Sequence, residues 1–224
     1  MTLAVQQPTG RAVGRSSERP IVLTGVSWDF YDRFLRQLER SGQRLYLTFD
    51  RGTLEIMAPS PYHEKAKKLL AAFIEGVRWE LDVPIASFGS TTYRREDMER
   101  GLEADECYYV QHEPQMGDRT TIDLAVDPPP DLAFEMDHSP HEIDRESVYA
   151  ALGVPEIWVF DGRALRAYTR AAAGQYSHID RSVAFPALRI ADLERFLCMV
   201  NSKREDAIVR EFRDWLRTIK PRPA

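Results

Sequence analysis

The chain has 224 residues, 43% of them hydrophobic and 29% charged, with a formal net charge of -5. This balance excludes a disordered or fibrous chain and leaves room for one sizeable domain with short appendages. The acidic balance lacks the overall basic footprint of a dedicated nucleic-acid binder, although a metal-dependent nuclease gathers acids at its site and confines basic residues to a groove.

Residues 1–22 carry Pro8, Gly10, Gly14 and Pro20 without periodicity and read as an N-terminal arm. From Ser27, a candidate N-cap, Trp28, Tyr31, Phe34, Leu35 and Leu38 follow helical spacing up to Gly42. "RLYLTFDRGTLEIMA" then alternates on both sides of Asp50-Arg51-Gly52, the pattern of a hairpin. Apolar residues at 66, 69, 70, 73, 74, 77 and 81 predict a long amphipathic helix from His63 to about Leu81. "PIASFGSTTYRR" reads as one or two strands, "REDMERGLEAD" as an exposed loop, "ECYYVQ" and "TTIDLAV" as strands, and "HEPQMGDR" as the turn between them. Pro128-Pro129-Pro130 ends that pairing, and "DLAFEMD" begins a nearly all-apolar strand of the kind buried on both faces. "EIDRESVYAALG" predicts a helix stopped at Gly153, and "EIWVFDG" another strand. Strand, helix and strand in such short compass imply a crossover and a parallel pair. "ALRAYTR" and "QYSHID" follow as short strands, then "IADLERFLCMV" and "REDAIVREFRDWLRTIK" as helices. The expectation is an α/β fold with a central mixed sheet flanked by helices. The arm spans 1–22, the main domain 23–200 and a C-terminal helical extension 201–224.

Glu135 and Asp137 end the apolar run of Leu132, Ala133 and Phe134. Strand ends in open α/β sheets are where ligands bind, and two residues apart on a strand share a face. Asp105, with Glu106 beside it, opens the earlier strand "DECYYV". Converging carboxylates repel unless a cation lies between them, and oxygen-only ligation suits Mg²⁺ or Mn²⁺. Each residue also has a purely structural reading. Asp137 caps a loop, Glu135 pairs with one of the many arginines, and Asp105 is a turn residue.

"GLEADECYYV", "PPPDLAFEMD" and "VYAALGVPEIWVFDG", in that order and with "MAPSPYHEKAKKLL" upstream, resemble the Uma-type restriction endonuclease family from about Trp28 to Leu197. The resemblance implies the PD-(D/E)XK nuclease superfamily, its restriction endonuclease-like core, a divalent metal and a DNA substrate. Carried over by position, Asp105 becomes the first acidic metal ligand, although Ala104 stands where the motif has proline. Glu135 becomes the second, the backbone carbonyl of Met136 completes the set, and Glu64 matches an acidic position used for a second metal or a water. The superfamily's lysine does not carry over. Position 137 holds Asp137, and the alternative helical slot, four residues before Tyr149, holds Arg145.

The chain has 25 arginines but only 5 lysines, and none lies between Leu69 and Ser202. Only Lys65, Lys67 or Lys68 remains to supply an ammonium, and arginine stays charged where a desolvated lysine gives up its proton. Two outcomes are therefore open: a working nuclease with altered pH behaviour, or a weakened or inactive nuclease-fold protein used for DNA binding or assembly. Arg145 has its own structural reading, pairing with Glu142, Asp144 or solvent.

His138 and His141 form an HxxH beside Glu135, a weak pattern for a transition metal. Arg94 and Arg95 read as phosphate contacts or a salt-linked loop. No apolar run has the length of a membrane helix or the pattern of a secretory leader, and Cys107 and Cys198 form no CxxC pair, so a cytoplasmic protein is expected. The apolar residues Phe196, Leu197, Val200, Ile208, Val209, Phe212, Trp215 and Leu216 of the last helices suggest a homodimer.

Overall fold

The structure, a computed structural model, describes residues 20–43, 45–137 and 141–220. In chain order the elements are β1 (Ile21–Thr24), α1 (Trp28–Ser41), β2 (Tyr46–Asp50), β3 (Thr53–Met57), α2 (Pro61–Leu81), β4 (Ala86–Ser87), β5 (Thr91–Arg95), β6 (Arg100–Ala104), β7 (Glu106–Tyr109), α3 (Glu113–Met116), β8 (Leu132–Met136), α4 (Arg145–Leu152), β9 (Glu156–Phe160), β10 (Leu165–Arg170), β11 (Tyr176–Ile179), α5 (Ile190–Leu197) and α6 (Glu205–Ile219). Short 3₁₀ turns occupy Glu96–Met98 and Cys198–Asn201.

Local chemistry sets several boundaries. Ser27 caps α1 by accepting the Phe30 amide, and Gly42 closes the helix in the left-handed region. Ser60 caps α2 on the His63 amide, with Pro61 in the first turn. The β2–β3 hairpin turns through Arg51 at φ 43° and Gly52 at φ 90°, the paired positive angles of a two-residue turn that matches strand twist.

The strands form two sheets rather than one. The first is antiparallel throughout, in the order β1-β3-β2-β6-β5. The second, in the order β11-β10-β9-β8-β7-β4, is mixed. Its single parallel pair, β8 with β9, is joined through α4, as the crossover pattern predicts. The chain passes from the first sheet to the second at Asp105, the one residue between β6 and β7.

Two predicted segments differ. The loop predicted for "REDMERGLEAD" contains β6, whose Gly101, Leu102 and Ala104 are buried, so its charged residues frame a strand. "TTIDLAV" is a turn instead of a strand. The Asp123 carboxylate accepts the Ala125 amide at 2.9 Å and the Asp127 carboxylate accepts the Asp123 amide at 2.9 Å, so side chains take the place of a ladder.

Layering explains where the carboxylates point. Leu132, Phe134 and Met136 of β8 join Trp158 and Phe160 of β9 beneath α2, α5 and α6. The opposite face, carrying Ala133 and Ile157, packs on Val148, Tyr149 and Leu152 of α4. Leu102 and Ala104 of the first sheet meet the same helix, so α4 lies between the two sheets. Leu47, Phe49 and Leu54 face α1 on the far side. Glu135 shares Ala133's parity on β8 and looks toward α4, as does Glu55, which alternates with Leu54 on β3.

The apolar residues that suggested a second copy are consumed within the chain. Phe196, Leu197, Val200, Ile208, Phe212 and Leu216 are buried in the largest core cluster, with Val209 and Trp215 packed against it. Phe73 stacks on Phe212 at 4.3 Å between ring centroids, and α6 comes close to α2 over Gly76.

Candidate active site

The bend at Asp105 decides the site. Glu106 pairs with Phe134 in the antiparallel β7–β8 ladder, so one step back Asp105 lies across from Glu135. Its side chain fills the gap left where pairing stops. One carboxylate oxygen accepts the Met136 amide at 2.7 Å, and the other meets His63 Nε2 at 2.7 Å. Backbone N–H and C=O of one strand residue point to the same side, so the Met136 carbonyl is also directed to the Asp105 side of β8. Burial lowers the affinity of the His63 imidazole for a proton, but the Asp105 carboxylate, with help from the Glu135 and Glu64 charges, raises it above its ordinary value.

Glu135 is held from α4. The Arg145 guanidinium reaches it at 2.8 Å and the Tyr149 hydroxyl donates to the same oxygen. Arginine and tyrosine four apart on a helix present neighbouring side chains to one point. Burial pushes the Glu135 carboxyl up to about 7; the Arg145 charge opposes this and the Asp105 charge adds to it. Arg145 also donates to the Glu103 carbonyl at 3.1 Å, while its buried Nε has no hydrogen-bond partner among the described residues. Of the structural readings, pairing of Glu135 with an arginine is thus realised, whereas Arg145 pairs with neither Glu142 nor Asp144.

Glu64 lies one step further out. Its neighbour His63 touches Asp105, and Glu64 itself accepts from the Tyr46 hydroxyl at 3.3 Å and sits 3.6 Å from Lys67 Nζ. Residues 63, 64 and 67 share one face of α2. Among the three candidate lysines, Lys65 turns away to the Val200 carbonyl at 2.6 Å. Lys67 is buried and donates to Tyr46 and Ser90 hydroxyls at 2.9 and 2.7 Å. Burial would lower its proton affinity, but the Tyr46, Glu64 and Asp105 groups keep it charged. Glu106, on the same side, is pushed up to about 7 by burial, with Lys67 opposing.

A cleft of about 300 Å³ opens beside Glu135, Asp137, His141, Arg145 and Tyr149. Among the described residues, no three His, Cys, Asp or Glu side chains come together as a metal-holding group. Two carboxylates and a main-chain carbonyl are the donors available. They are all hard oxygens, the set a small divalent cation accepts; each Asp105 oxygen keeps a second lone pair beyond the bonds described, and Glu135 has its other oxygen beside the one that Arg145 and Tyr149 share.

The sequence matches the Uma2 family, described as "Putative restriction endonuclease", over residues 29–197. The chain belongs to the Uma2 family. The two sheets, the second of them mixed, and their flanking helices agree with a restriction endonuclease-like fold for this Uma2 chain. No curated protein matches the chain.

The remaining candidates resolve differently. His141 is not poised for a transition metal, because both ring nitrogens face carboxylates: Glu55 at 2.5 Å and Asp137 at 3.1 Å. His138 lies outside the described residues. Arg94 pairs with Asp32 and Arg95 with Asp97 at 2.6 Å, the salt-linked reading rather than free phosphate contacts. Tyr149 and Glu55 escaped sequence reasoning. Tyr149 served only as the landmark for the Arg145 slot in an apolar helix, and the one signal for Glu55 was a carboxylate at an inward position of "TLEIM".

Proposed function

We propose that this protein hydrolyses DNA phosphodiester bonds with a divalent cation, Mg²⁺ or Mn²⁺, held by Asp105, Glu135 and the Met136 carbonyl. The observation that carries this reading is the pairing of Asp105 against Glu135 and the Met136 peptide across β7 and β8. Membership of a family described as restriction endonuclease supplies the reaction class. When bound, such a cation lowers the pKa of a water and neutralises charge on the scissile phosphate.

The chain's own residues do the rest. His63 and the Met136 amide hold Asp105 in one orientation. Arg145, always charged, keeps Glu135 anionic more readily than burial alone allows, and offers its guanidinium to the phosphate where the superfamily has lysine. Lys67, steadied by Tyr46 and Ser90, feels the Asp105 charge and orients groups on the α2 side. Glu64 orients a water from the same face. Cys107 and Cys198 are free thiols, which fits work in the cytoplasm.

A second reading has its own support. Glu135 already faces the Arg145 guanidinium, and Asp105 faces the His63 imidazole, whose proton affinity it raises, so the pair is partly charge-compensated without a metal. Such a site suits a nuclease fold retained for DNA binding or assembly. Plasmid nicking in Mg²⁺ and Mn²⁺, with Asp105→Asn and Glu135→Gln beside the native protein, separates the two. Loss of at least a hundredfold in both variants supports hydrolysis. Unchanged nicking in both rejects the assignment, and absence of nicking and Mn²⁺ binding in the native protein favours the second reading.

A further inference from the structure

The HxxH motif left one histidine that the site does not use as a ligand, and its surroundings join the two sheets. Glu55 is 2% exposed, on the face of β3 that looks toward α4. One of its oxygens meets His141 Nδ1 at 2.5 Å. The other accepts the amides of Glu142 at 2.9 Å and Ile143 at 3.4 Å. These residues lead directly into Asp144, the N-cap of α4, and Arg145, its first residue. On its other side His141 Nε2 reaches Asp137, which follows β8.

The start of α4 is therefore clamped between carboxylates from two sheets. Glu55 of the antiparallel sheet takes the backbone just before the helix. Glu135 of the mixed sheet takes Arg145 and Tyr149 from its first two turns. No strand pairing connects β3 to β8. A carboxylate whose two oxygens are both used by one segment fixes that segment in translation and in rotation, which a single bond does not. The negative charge of Glu55 is felt at Arg145 as well as at His141.

We infer that Glu55 is a positioning residue for the candidate active site: acting through His141 and the 142–143 amides, it sets where Arg145 stands against Glu135. Glu55 itself touches neither Asp105 nor Glu135, so its action is indirect. The inference rests on the nuclease reading only for its catalytic consequence; the placement of Arg145 has a readout of its own.

The test uses the full chain with Glu55→Gln, which keeps shape but turns one acceptor oxygen into a donor amide facing His141. The Arg145 Nε–H is buried, so its rate of exchange with solvent, read by NMR, reports how Arg145 is seated. The expected result is at least a tenfold faster Nε–H exchange at unchanged overall folding, with plasmid-nicking kcat lowered at least tenfold and KM for DNA within twofold. Faster exchange in a protein whose native form does not nick DNA keeps the positioning role and removes the nuclease reading. Unchanged Nε–H exchange overturns the inference, whatever happens to nicking. If Glu55→Gln does not fold, His141→Gln leaves the two amide bonds and removes the imidazole contacts with both Glu55 and Asp137. It is expected to accelerate Nε–H exchange about threefold, and no acceleration there overturns the inference equally.

Discussion

Replacing His141 by Gln should change how stability depends on pH, and the size follows from its two carboxylate neighbours. Burial lowers the proton affinity of the imidazole, but hydrogen bonds to Asp137 and Glu55 outweigh it and push the pKa from 6.5 to about 9. The side chain is 10% exposed, so solvent screens these interactions little. At about 1.4 kcal/mol per pKa unit, the rise corresponds to about 3 kcal/mol of folded-state preference for the imidazolium. A group whose pKa is raised on folding contributes fully below its unfolded value and loses that contribution as pH rises through the folded value. The native protein should therefore lose about 3 kcal/mol more than His141→Gln between roughly pH 6.5 and 9.5. Urea unfolding at half-unit pH steps measures it. Glu135, whose raised pKa also tilts the curve, titrates in both proteins, so most of its tilt is common to the two, the His141 charge being the least of the causes acting on it. Parallel stability curves for the two proteins would refute the reasoning.

Arg145→Ala leaves Glu135 buried without its ion-pair partner and should cost about 3 kcal/mol or more at pH 8, but less at pH 5, where that carboxyl is protonated; chemical denaturation at both pH values reads the difference. Arg145→Lys keeps the charge and restores the superfamily's residue type, so nicking should rise if the site is a tuned nuclease. Nicking by the native protein should itself increase from pH 6 to 8 as Glu135 ionises with its pKa near 7, a profile that initial rates in Mg²⁺ check. Gly101→Ala would drive a methyl group into the buried Tyr31 ring under α1 and against Arg94 Cβ at 3.1 Å, for a loss of about 1–3 kcal/mol by calorimetry. Phe212→Ala removes the ring stacked on Phe73 and should cost about 3–5 kcal/mol, evidence that α6 belongs to the core.

Elements with strong local signals were readable one residue at a time. Ser27 and Gly42 bound α1, the apolar stripe from Ala66 to Leu81 defines α2, and the unbroken apolar run of β8 marks a strand covered on both faces. These features depend on periodicity and capping within a few residues, so the order of the chain determines them. Asp105 and Glu135 were legible as acids near strand ends, and Arg145 as the wrong cation for its slot.

Which partners those residues take was decided by tertiary structure. A second sheet arises because the strand through "GLEADECYY" breaks at Asp105, a register event that no local pattern encodes, and the same break turns that carboxylate onto His63 and the Met136 amide. Tyr149 reads as one more apolar helix position until α4 lies between the sheets and brings its hydroxyl to Glu135. Glu55 and His141, 86 positions apart, become partners only when the hairpin and the β8–α4 segment pack together. Short-range hydrogen bonding and hydrophobic spacing are properties of neighbouring residues. Charge compensation inside a buried layer depends on which distant segments share it, and that is settled only when the whole chain has closed.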